Sequence, residues 1–307
     1  MATDGRWIEE LEAALGARVE RDAPIGELTT YRLGGPARAL VRAGTPGHLQ
    51  ALAAVVARWR PPVLVVGRGS NLLVADEGFE GVALLLDGAL AGMEIVGDDR
   101  VRAGGGAPLG VLARRAAAAG RAGLEFYVGI PGTVGGAVRM NAGGHGRDTA
   151  TVLRFAEVLD LSDPGGTVRR ADPSALGLGY RRSALGPTEV VVAAEFRVTG
   201  DDPAACGARL DEVVRWRRAH QPGGANAGSV FRNPPGDHAG RLIEACGLKG
   251  FRIGGAVVSE KHANFVQAGP GARARDVYEV VTRVRAVVEE RTGVRLEPEL
   301  QFVGFDP

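Results

Sequence analysis

The chain has 307 residues, which is too long for one small core and suits two or three packed modules. Its 37 Lys and Arg residues nearly balance 36 Asp and Glu residues, and the formal net charge of +1 lacks the excess of positive charge typical of proteins that bind nucleic-acid phosphates. No apolar run reaches the roughly 18 residues of a membrane span, and the beginning of the chain lacks a signal-peptide pattern, so we expect a soluble, cytoplasmic protein. Cys206 and Cys246 are too few for a disulfide framework or a thiolate metal cluster, and we expect no metal.

The first third of the chain alternates helical and strand patterns. TPGHLQALAAVVARWRPP predicts a helix that Thr45 can cap and in which Pro46 suits the first turn. VLVVG and VALLLDG predict two buried strands, and the loop GRGSNLLVADEGFEG between them is a candidate ligand loop. MEIVG and DRVRAGGG predict a hairpin, which an alanine-rich helix in PLGVLARRAAAAGRAG follows.

The remainder predicts an antiparallel sheet and then a separate group of helices and strands. After a glycine-dense stretch at 128–146, the runs TVLRFAEVLDLS, GTVRRAD and EVVVAAEFRVTG have the period-two pattern of strands. Helices are predicted in PAACGARLDEVVRWRRAH, HAGRLIEACG and ARARDVYEVVTRVRAVVEERTG, with strands in GGAVVS, ANFVQAG and VRLEPELQFVG. We therefore predict an α+β fold with a first region at 1–202, in lobes of about 1–62 and 63–202, and a smaller domain at 203–307. Its closing strand, 294–303, is expected to return to the first region.

Two glycine-rich motifs are candidate nucleotide sites. In VVGRGSNLL, Gly67 and Gly69 allow positive φ and a close approach of backbone amides to a phosphate, with Ser70 and Asn71 as further donors. A plain strand-to-loop turn is the alternative. GIPGTVGGAVRMNAGGHG offers bare backbone to a flat ring system such as a flavin, and structural tight turns are again the alternative.

Polar side chains in four further motifs could carry chemistry. GYRRSAL contains Arg181, a cation that could hold a carboxylate or enolate, unless it is a solvated surface arginine. Ser229 in GSVFRNP could donate a proton, and no His and acidic pair at a recognisable spacing makes it a hydrolase nucleophile. In LEPEL, Glu297 and Glu299 share one face of an extended strand. SEKHANF carries Lys261 and His262, which suit a diphosphate or an ordinary surface turn.

Taken in order, these motifs resemble those of the UDP-N-acetylenolpyruvoylglucosamine reductase family. The segments that carry the resemblance span nearly the whole chain: TTYRLGG, GRGSNLLVADEGFEG, GIPGTVGGAVRMNAGGHG, GYRRS, AGSVFRNP, GLKGFRIGGAVVSEKHANF and LEPELQFVG. The resemblance implies an FAD-binding region of the vanillyl-alcohol-oxidase type at 1–202 and a substrate-binding domain at 203–307. It also implies non-covalent FAD, NADPH as hydride donor and reduction of the enolpyruvyl group of a UDP-sugar during peptidoglycan synthesis.

The resemblance assigns roles residue by residue. Ser229 matches the proton donor, while Arg181 and Glu299 match the other catalytic positions. The implied FAD contacts are Tyr31, Gly67, Gly69, Ser70, Asn71, Leu72, Gly129, Ile130, Pro131, Gly132, Thr133, Gly135, Gly136, Asn141 and Gly143. The implied contacts to the UDP-sugar are Tyr180, Asn233, Lys249, Lys261 and His220.

The sequence departs from the family pattern at two positions. His220 stands in RRAHQP where the family often has lysine, and Arg232 replaces the lysine of FKNP. A histidine does not provide a permanent positive charge for the substrate phosphates. The chain also lacks a substrate-covering insertion and so resembles the shorter subtype of the family.

Two alternatives of different kinds stay open at this stage. A flavin oxidase would use oxygen and an alcohol or sugar, although FRNP and SEKHANF disfavour it and only His145 in the glycine-rich region could attach a flavin covalently. A non-catalytic sensor of nucleotide sugars is the other alternative. The joint presence of Arg181, Ser229 and Glu299 disfavours the sensor.

Overall fold

The structure, a computed structural model, describes residues 5–305, which form two compact units. Unit 1 consists of the segment up to Ala23, Arg38–Arg68 and Gly81–Trp216, whereas unit 2 consists of Pro24–Ala37, Gly69–Glu80 and the chain from Arg217 onward. These units do not coincide with the predicted regions 1–202 and 203–307. Two early segments, Pro24–Ala37 and Gly69–Glu80, pack with the C-terminal part of the chain, and unit 1 extends to Trp216. The predicted domain boundary therefore stays a prediction.

The helices of the described chain follow the apolar spacing of the sequence. They are α1 (Arg6–Leu15), α2 (Pro46–Trp59), α3 (Leu109–Ala118), α4 (Val134–Arg139), α5 (Thr149–Val152), α6 (Pro203–His220), α7 (Ala239–Ala245) and α8 (Ala274–Thr292). α2 begins as predicted, since the Thr45 hydroxyl accepts a hydrogen bond of 3.3 Å from the amide of His48. α8 ends at Gly293, which adopts the left-handed conformation with a φ of 71°. None of the helices in residues 5–305 is long and apolar enough to cross a membrane.

The strands are mostly short. In chain order they are β1 (Val19–Ala23), β2 (Ala37–Ala43), β3 (Val63–Val66), β4 (Leu72–Val74), β5 (Phe79–Leu86), β6 (Met93–Val96), β7 (Arg100–Gly104), β8 (Arg121–Ala122), β9 (Gly143–Gly144), β10 (Arg147–Asp148), β11 (Leu153–Asp160), β12 (Val168–Ala171), β13 (Glu189–Arg197), β14 (Thr199–Gly200), β15 (Arg252–Ile253), β16 (Ala256–Val258), β17 (Val266–Ala268) and β18 (Gln301–Val303).

Unit 1 contains two larger sheets and two hydrophobic cores, one of which includes residues of both sheets. One sheet has the order β1-β2-β5-β3, in which β3 and β5 are parallel, and packs with α1 and α2. The other has the order β12-β11-β13-β7-β6 and packs with α3 and α4. The predicted β6–β7 hairpin and the predicted antiparallel pairing of β11, β12 and β13 are confirmed. Strand β1 was not predicted, because its VERDA sequence has three exposed charged residues and no apolar alternation.

Unit 2 is built around α8 and the β15-β16-β17 sheet. The inner face of α8 is aliphatic and consists of the buried residues Val277, Val280, Val281, Val284, Val287 and Val288. β18 pairs in parallel with β4, so the end of the chain returns to residues 72–74. The regular strand covers only Gln301–Val303 of the expected 294–303. Just before it, Pro298 forms an isolated antiparallel bridge with Phe231, and the Arg232 amide donates to the Glu297 carbonyl.

The glycine-dense stretch is more regular than its composition suggests. A 3₁₀ turn covers Glu125–Gly129, and α4 begins after Thr133, whose hydroxyl accepts a hydrogen bond from the amide of Gly136. Val134 and Val138 of α4 are fully buried in the core of unit 1. The apolar residues among the glycines therefore fix the loops of this region to the core.

Candidate active site

A cleft in unit 1 opens where the parallel strands β3 and β5 end. Its lining combines aliphatic side chains, glycine backbone and a few charged groups: Val65, Val66, Gly67, Arg68, Leu85, Leu86, Gly105, Gly106, Thr133, Gly135, Gly136, Arg139, Leu185, Glu189 and Val191. Ligands of open α/β sheets commonly bind at the carboxyl ends of parallel strands. The first predicted nucleotide motif, at Gly67, and the second, at 129–144, thus meet at one cleft.

The glycines of this cleft allow backbone segments to touch. A Cβ on Gly105 would lie 1.8 Å from the carbonyl oxygen of Val191, and one on Gly106 would lie 2.4 Å from that of Leu86. A Cβ on Gly67 would lie 2.7 Å from the Thr133 hydroxyl. Much of the cleft wall therefore consists of peptide groups and aliphatic side chains, which fits a flat, partly apolar ring system with linked phosphates.

Several cleft residues were missed by the sequence analysis. Gly105 and Gly106 were interpreted only as the end of a hairpin, although three consecutive glycines after a strand were the available signal. Arg139 and Glu189 form a polar corner, in which Arg139 Nη1 donates to the carbonyl of Gly186 at 2.9 Å and the Gly186 amide donates to Glu189 Oε2 at 2.7 Å. Burial lowers the pKa of the Arg139 guanidinium, and the charge of Glu189 opposes that effect.

Arg181 lies at the tip of a tight turn in unit 1. Gly179 and Arg182 close the turn with reciprocal backbone hydrogen bonds of 3.0 and 3.2 Å. Arg181 itself has a φ of 54°, which is rare for a residue with a long side chain. Its Nη2 donates a hydrogen bond of 2.8 Å to the carbonyl of Gly143, and its guanidinium lies 5.2 Å from the centre of the Tyr180 ring. The turn thus ties a cation to the glycine-rich segment.

The side chain of Asn141 is buried, with 3% exposure, and its polar atoms bond to the protein. Nδ2 donates to Asp148 Oδ2 and to the Gly179 carbonyl, both at 3.0 Å, while Oδ1 accepts from the Ala150 amide at 2.9 Å. These three bonds use both amide hydrogens of Asn141. The structure therefore gives the side chain a scaffold role, and its FAD contact stays a prediction.

In unit 2, Ser229 begins an extended segment that Asn264 clamps. The half-buried Ser229 follows Gly228, whose φ is 77°. Asn264 Oδ1 accepts from the amide of Phe231 at 3.0 Å, Nδ2 donates to the Phe231 carbonyl at 2.8 Å, and the Val230 amide donates to the Asn264 carbonyl at 2.9 Å. Asn264 lies in SEKHANF, where the predicted roles fall on Lys261 and His262. The side chain of Asn264 supports the neighbouring segment. It fixes the backbone that presents the Ser229 hydroxyl.

Glu299 lies beside the same segment. Its amide donates a hydrogen bond of 2.8 Å to the Val230 carbonyl, and its own carbonyl accepts one of 3.0 Å from Asn71 Nδ2. The Gln301 amide donates to the Asn71 carbonyl at 3.0 Å. Within unit 2 the structure therefore brings together three motifs that are distant in the sequence, those of Asn71, Ser229 and Glu299.

The predicted substrate residues of unit 2 already have protein contacts. Asn233 Oδ1 accepts from the Ala239 amide at 3.1 Å at the start of α7. Lys249 Nζ pairs with Glu244 Oε1, and Lys261 Nζ donates to the Arg218 carbonyl, both at 2.6 Å. An ammonium group carries three hydrogens, so each lysine can keep its contact and also donate to a phosphate. His220 is exposed in the last turn of α6, and Tyr180, in unit 1, has 54% of its side chain exposed.

Tyr31, one of the predicted FAD residues, is deeply buried. Its side chain is 1% exposed in the core of unit 2, and its hydroxyl donates a hydrogen bond of 3.0 Å to the Val266 carbonyl. Burial raises the pKa of Tyr31 above its ordinary value. Its side chain therefore has a packing role, and its contact with FAD stays a prediction.

The other predicted FAD residues lie in loops and at the ends of elements. Gly69 has a φ of 57° and no room for a side chain, because a Cβ would lie 2.5 Å from the Cα of Thr29. The Gly132 carbonyl accepts a hydrogen bond from the amide of Leu109 at the start of α3. The remaining positions are Ser70 in the loop before β4, Leu72 on β4, Gly129 at the end of a 3₁₀ turn, Ile130 against the core of unit 1, the exposed Pro131, Gly135 and Gly136 on α4, and Gly143 on β9.

Within residues 5–305, His, Cys, Asp and Glu side chains form no group of three or more that could hold a metal ion.

The fold and the cleft define an FAD-binding protein of the α+β class. Residues 37–172 match the family described as "FAD binding domain", a range that contains Gly67, Gly105 and Gly135 of the cleft. Residues 220–303 match the family described as "UDP-N-acetylenolpyruvoylglucosamine reductase, C-terminal domain". The α+β class and the FAD-binding region predicted from the sequence are confirmed.

Full-length comparisons narrow the class to one family. The chain is 45% identical over 292 residues to UDP-N-acetylenolpyruvoylglucosamine reductase 2 of Symbiobacterium thermophilum, which covers 94% of each chain. It is 43% identical over 291 residues to the UDP-N-acetylenolpyruvoylglucosamine reductase of Syntrophotalea carbinolica, with 94% and 96% covered. The chain belongs to the UDP-N-acetylenolpyruvoylglucosamine reductase family.

Solved structures agree with this assignment. The crystal structure of UDP-N-acetylenolpyruvylglucosamine reductase from Thermus caldophilus superimposes with a TM-score of 0.81 at 38% identity, covering 93% of this chain and 99% of that one. Phl p 4.0202, a glucose dehydrogenase, has a TM-score of 0.51 at 13% identity over 94% of this chain and 63% of its own. This second likeness concerns the fold alone.

Proposed function

We propose that the chain is an FAD-dependent reductase that converts UDP-N-acetylglucosamine enolpyruvate into UDP-N-acetylmuramate for peptidoglycan synthesis, with NADPH as hydride donor. The similarity to named reductases over 94% of the chain carries the proposal. The relatives are named for reduction of the enolpyruvyl sugar nucleotide. We also propose the shorter subtype of the family, action in the cytoplasm, and small molecules as its partners.

The unit 1 cleft contributes to FAD binding in this proposal. Its glycine backbone and aliphatic walls suit the cofactor. The predicted positions Gly67, Gly69, Ser70 and Asn71 would bind its phosphates. When bound, FAD supplies hydride transfer from NADPH to the methylene carbon of the enolpyruvyl ether. Both cysteines are buried, and neither lines the cleft, which supports a non-covalent cofactor.

Ser229 would give the proton that completes the reduction. Hydride addition to the methylene carbon places negative charge on the neighbouring carbon and its carboxylate, and a proton from a hydroxyl then forms the second C–H bond. Ser229 suits this role because Asn264 holds the segment that follows it, while its half-buried side chain can still reach a ligand. A positioned donor of this kind typically contributes about two to four orders of magnitude in rate.

Arg181 and Glu299 would control charge around that proton transfer. A guanidinium is permanently charged and forked, so Arg181 can offset the negative charge that develops at the carboxylate. Glu299 is fixed through its backbone to Val230, next to the serine, and would orient or polarise the groups around the hydroxyl. Each role follows from the matched family position.

The proposal is tested by following the two half-reactions separately. The purified protein should show the visible spectrum of bound FAD, lose it on anaerobic addition of NADPH, and regain it on addition of UDP-N-acetylglucosamine enolpyruvate. A colourless protein that cannot be reconstituted with FAD contradicts the proposal. Flavin that is reoxidised only by oxygen contradicts it in favour of an oxidase.

A further inference from the structure

We propose that the buried amide of Asn141 is a positioning residue for Arg181, acting through the turn Gly179–Arg182 and not through contact with any ligand. The inference rests on the proposed function, since it assigns a role in presenting the cation of that site. The starting observation is that Asn141 Nδ2 donates a 3.0 Å hydrogen bond to the Gly179 carbonyl, the first residue of the turn.

The orientation of the Asn141 amide is determined by its partners. Its nitrogen faces two acceptors, Asp148 Oδ2 and the Gly179 carbonyl, and its oxygen faces one donor, the Ala150 amide. A flipped amide would place oxygen against both acceptors and nitrogen against a donor. Asp148 is itself held in place, because its Oδ1 accepts from the Thr151 amide at 3.1 Å. The donor that reaches Gly179 therefore has one stable direction.

The same chain segment holds Arg181 at two points. Asn141 bonds the backbone at the start of the turn, and two residues later the Gly143 carbonyl accepts from Arg181 Nη2 at 2.8 Å. Together the two bonds fix both the backbone and the guanidinium of Arg181 relative to the glycine-rich segment.

The turn needs such support because its conformation is unfavourable. Arg181, inside the turn, has a φ of 54°. Asn141, which bonds the turn from outside it, has a φ of 40°. A residue other than glycine in the left-handed region costs about 1 kcal/mol or more and persists only where its surroundings over-determine it. Asparagine tolerates the left-handed region better than most residues. It therefore suits position 141, where the backbone is left-handed and the side chain bonds the Gly179 carbonyl.

Two substitutions and one control isolate the proposed contact. Asn141→Asp keeps the shape but places an oxygen against two acceptors, and Asn141→Gly removes the side chain while suiting the left-handed backbone. Thr149→Val is the matched control. Its hydroxyl is fully buried in the same segment and bonds Tyr127 and the carbonyls of Ala137 and Ala142, but makes no contact with the turn.

The first measurement needs neither cofactor nor turnover. Limited trypsin digestion of the apoprotein, quantified by mass spectrometry, reports cleavage after Arg181 and Arg182. Both Asn141 variants should be cut there about tenfold faster than the wild type and the Thr149→Val protein, because a loosened turn opens more often. Cleavage rates equal to that of Thr149→Val would overturn the proposal.

The second measurement separates the half-reactions and applies a double-mutant cycle. Asn141→Asp should slow substrate-dependent flavin reoxidation by about 10- to 100-fold and leave NADPH-dependent reduction within about twofold, since the cation acts in the second step. In an Arg181→Ala background the same substitution should change reoxidation by less than about twofold. Multiplicative effects would overturn the positioning role. A wild-type reoxidation rate in Arg181→Ala alone would instead contradict the catalytic role of Arg181 in the proposed function, while trypsin digestion still decides the positioning role.

Discussion

Asn71 and Glu299 are 228 residues apart in the sequence, yet the Asn71 side-chain amide donates a 3.0 Å hydrogen bond to the Glu299 carbonyl. One residue belongs to the predicted phosphate loop and the other to the predicted catalytic strand. Because the Glu299 amide also bonds the carbonyl of Val230, the loop, the strand and the Ser229 segment form one connected arrangement within unit 2. A disturbance at Asn71 should therefore reach the proton donor.

Asn71→Ala should reduce substrate-dependent flavin reoxidation as well as FAD affinity, because it removes the donor that holds Glu299. The expected loss in reoxidation rate is about tenfold or more, as for other misplaced catalytic groups. Gln301→Ala is the control, since the exposed Gln301 Nε2 donates to the same carbonyl at 3.2 Å. Stopped-flow traces at saturating FAD would show the effect in the first variant and not in the second. Equal rates in both variants would contradict the coupling.

Ser229→Ala should keep its bound flavin and lose turnover by about two to four orders of magnitude, which is the typical cost of removing a positioned general acid. Flavin content is read from the visible spectrum, and turnover from NADPH consumption. Ser174→Ala removes an exposed hydroxyl that bonds Asp172 and should behave as the wild type. A fully active Ser229→Ala enzyme would refute the proton-donor assignment.

Arg181→Asn should lose activity with little change in thermal stability. Asparagine suits the φ of 54° better than arginine, so relief of backbone strain offsets the lost hydrogen bond to the Gly143 carbonyl to within about 1 kcal/mol. Arg182→Asn, at the exposed neighbouring position, is the control and should retain activity. Melting temperatures and rates of reoxidation test both halves. A large fall in melting temperature for Arg181→Asn would show that the arginine mainly stabilises the fold.

Gly105→Ala and Gly207→Ala should change stability in opposite directions. At Gly105 the new methyl group would meet the Val191 carbonyl oxygen at 1.8 Å, which predicts a loss of about 1–3 kcal/mol from overpacking and a weaker hold on FAD. Gly207 lies inside α6 with open space around it, and alanine there should stabilise the protein by about 0.5–1 kcal/mol. Urea unfolding of the apoproteins gives both values. The same sign for both substitutions would be inconsistent with the packing described.

His262 should make unit 2 less stable in mild acid. Burial lowers the pKa of its imidazole, and the positive charge of Lys249 acts in the same direction. The unfolded chain then binds the proton more readily than the folded one, so stability is fully present above the unfolded pKa of about 6.5 and declines as the pH falls towards the lower folded pKa. His262→Gln should lose this part of the pH dependence. The check is the urea midpoint of the wild type minus that of His262→Gln. This difference should decrease as the pH falls from 7.5 to 5.5.

The elements with strong local patterns were predictable from the sequence. α2 and α8 have helical apolar spacing with recognisable ends, and β11 and β13 have the period-two pattern that fixes a sheet face. α4 was missed because glycine disfavours a helix locally, whereas the burial of Val134 and Val138 stabilises it through tertiary packing. Local propensity does not contain that packing energy.

The candidate site was predictable to the extent that motifs carry it. Ser229, Arg181 and Glu299 were named from their motifs, whereas the clamp by Asn264 depends on side-chain bonds to a backbone 33 residues away. Tyr31 and Asn141 lie in matching motifs, but their side chains face the protein. A motif indicates that a position matters, and only the fold shows whether its side chain meets a ligand or another residue.

The parallel pairing of β18 with β4 has a consequence for how the protein is made. Most of unit 1 leaves the ribosome before any of the chain from Arg217 onward, and can collapse around its own cores while synthesis continues. β4 can pair with β18 only after that strand has been translated, whereas the segments 24–37 and 69–80 can already bond to each other, as the Gly35 amide does to the Ala75 carbonyl. Leu73 on β4, which is fully buried in the finished protein, is therefore an apolar site that the nascent chain leaves incompletely covered until β18 arrives, and chaperones cover sites of this kind.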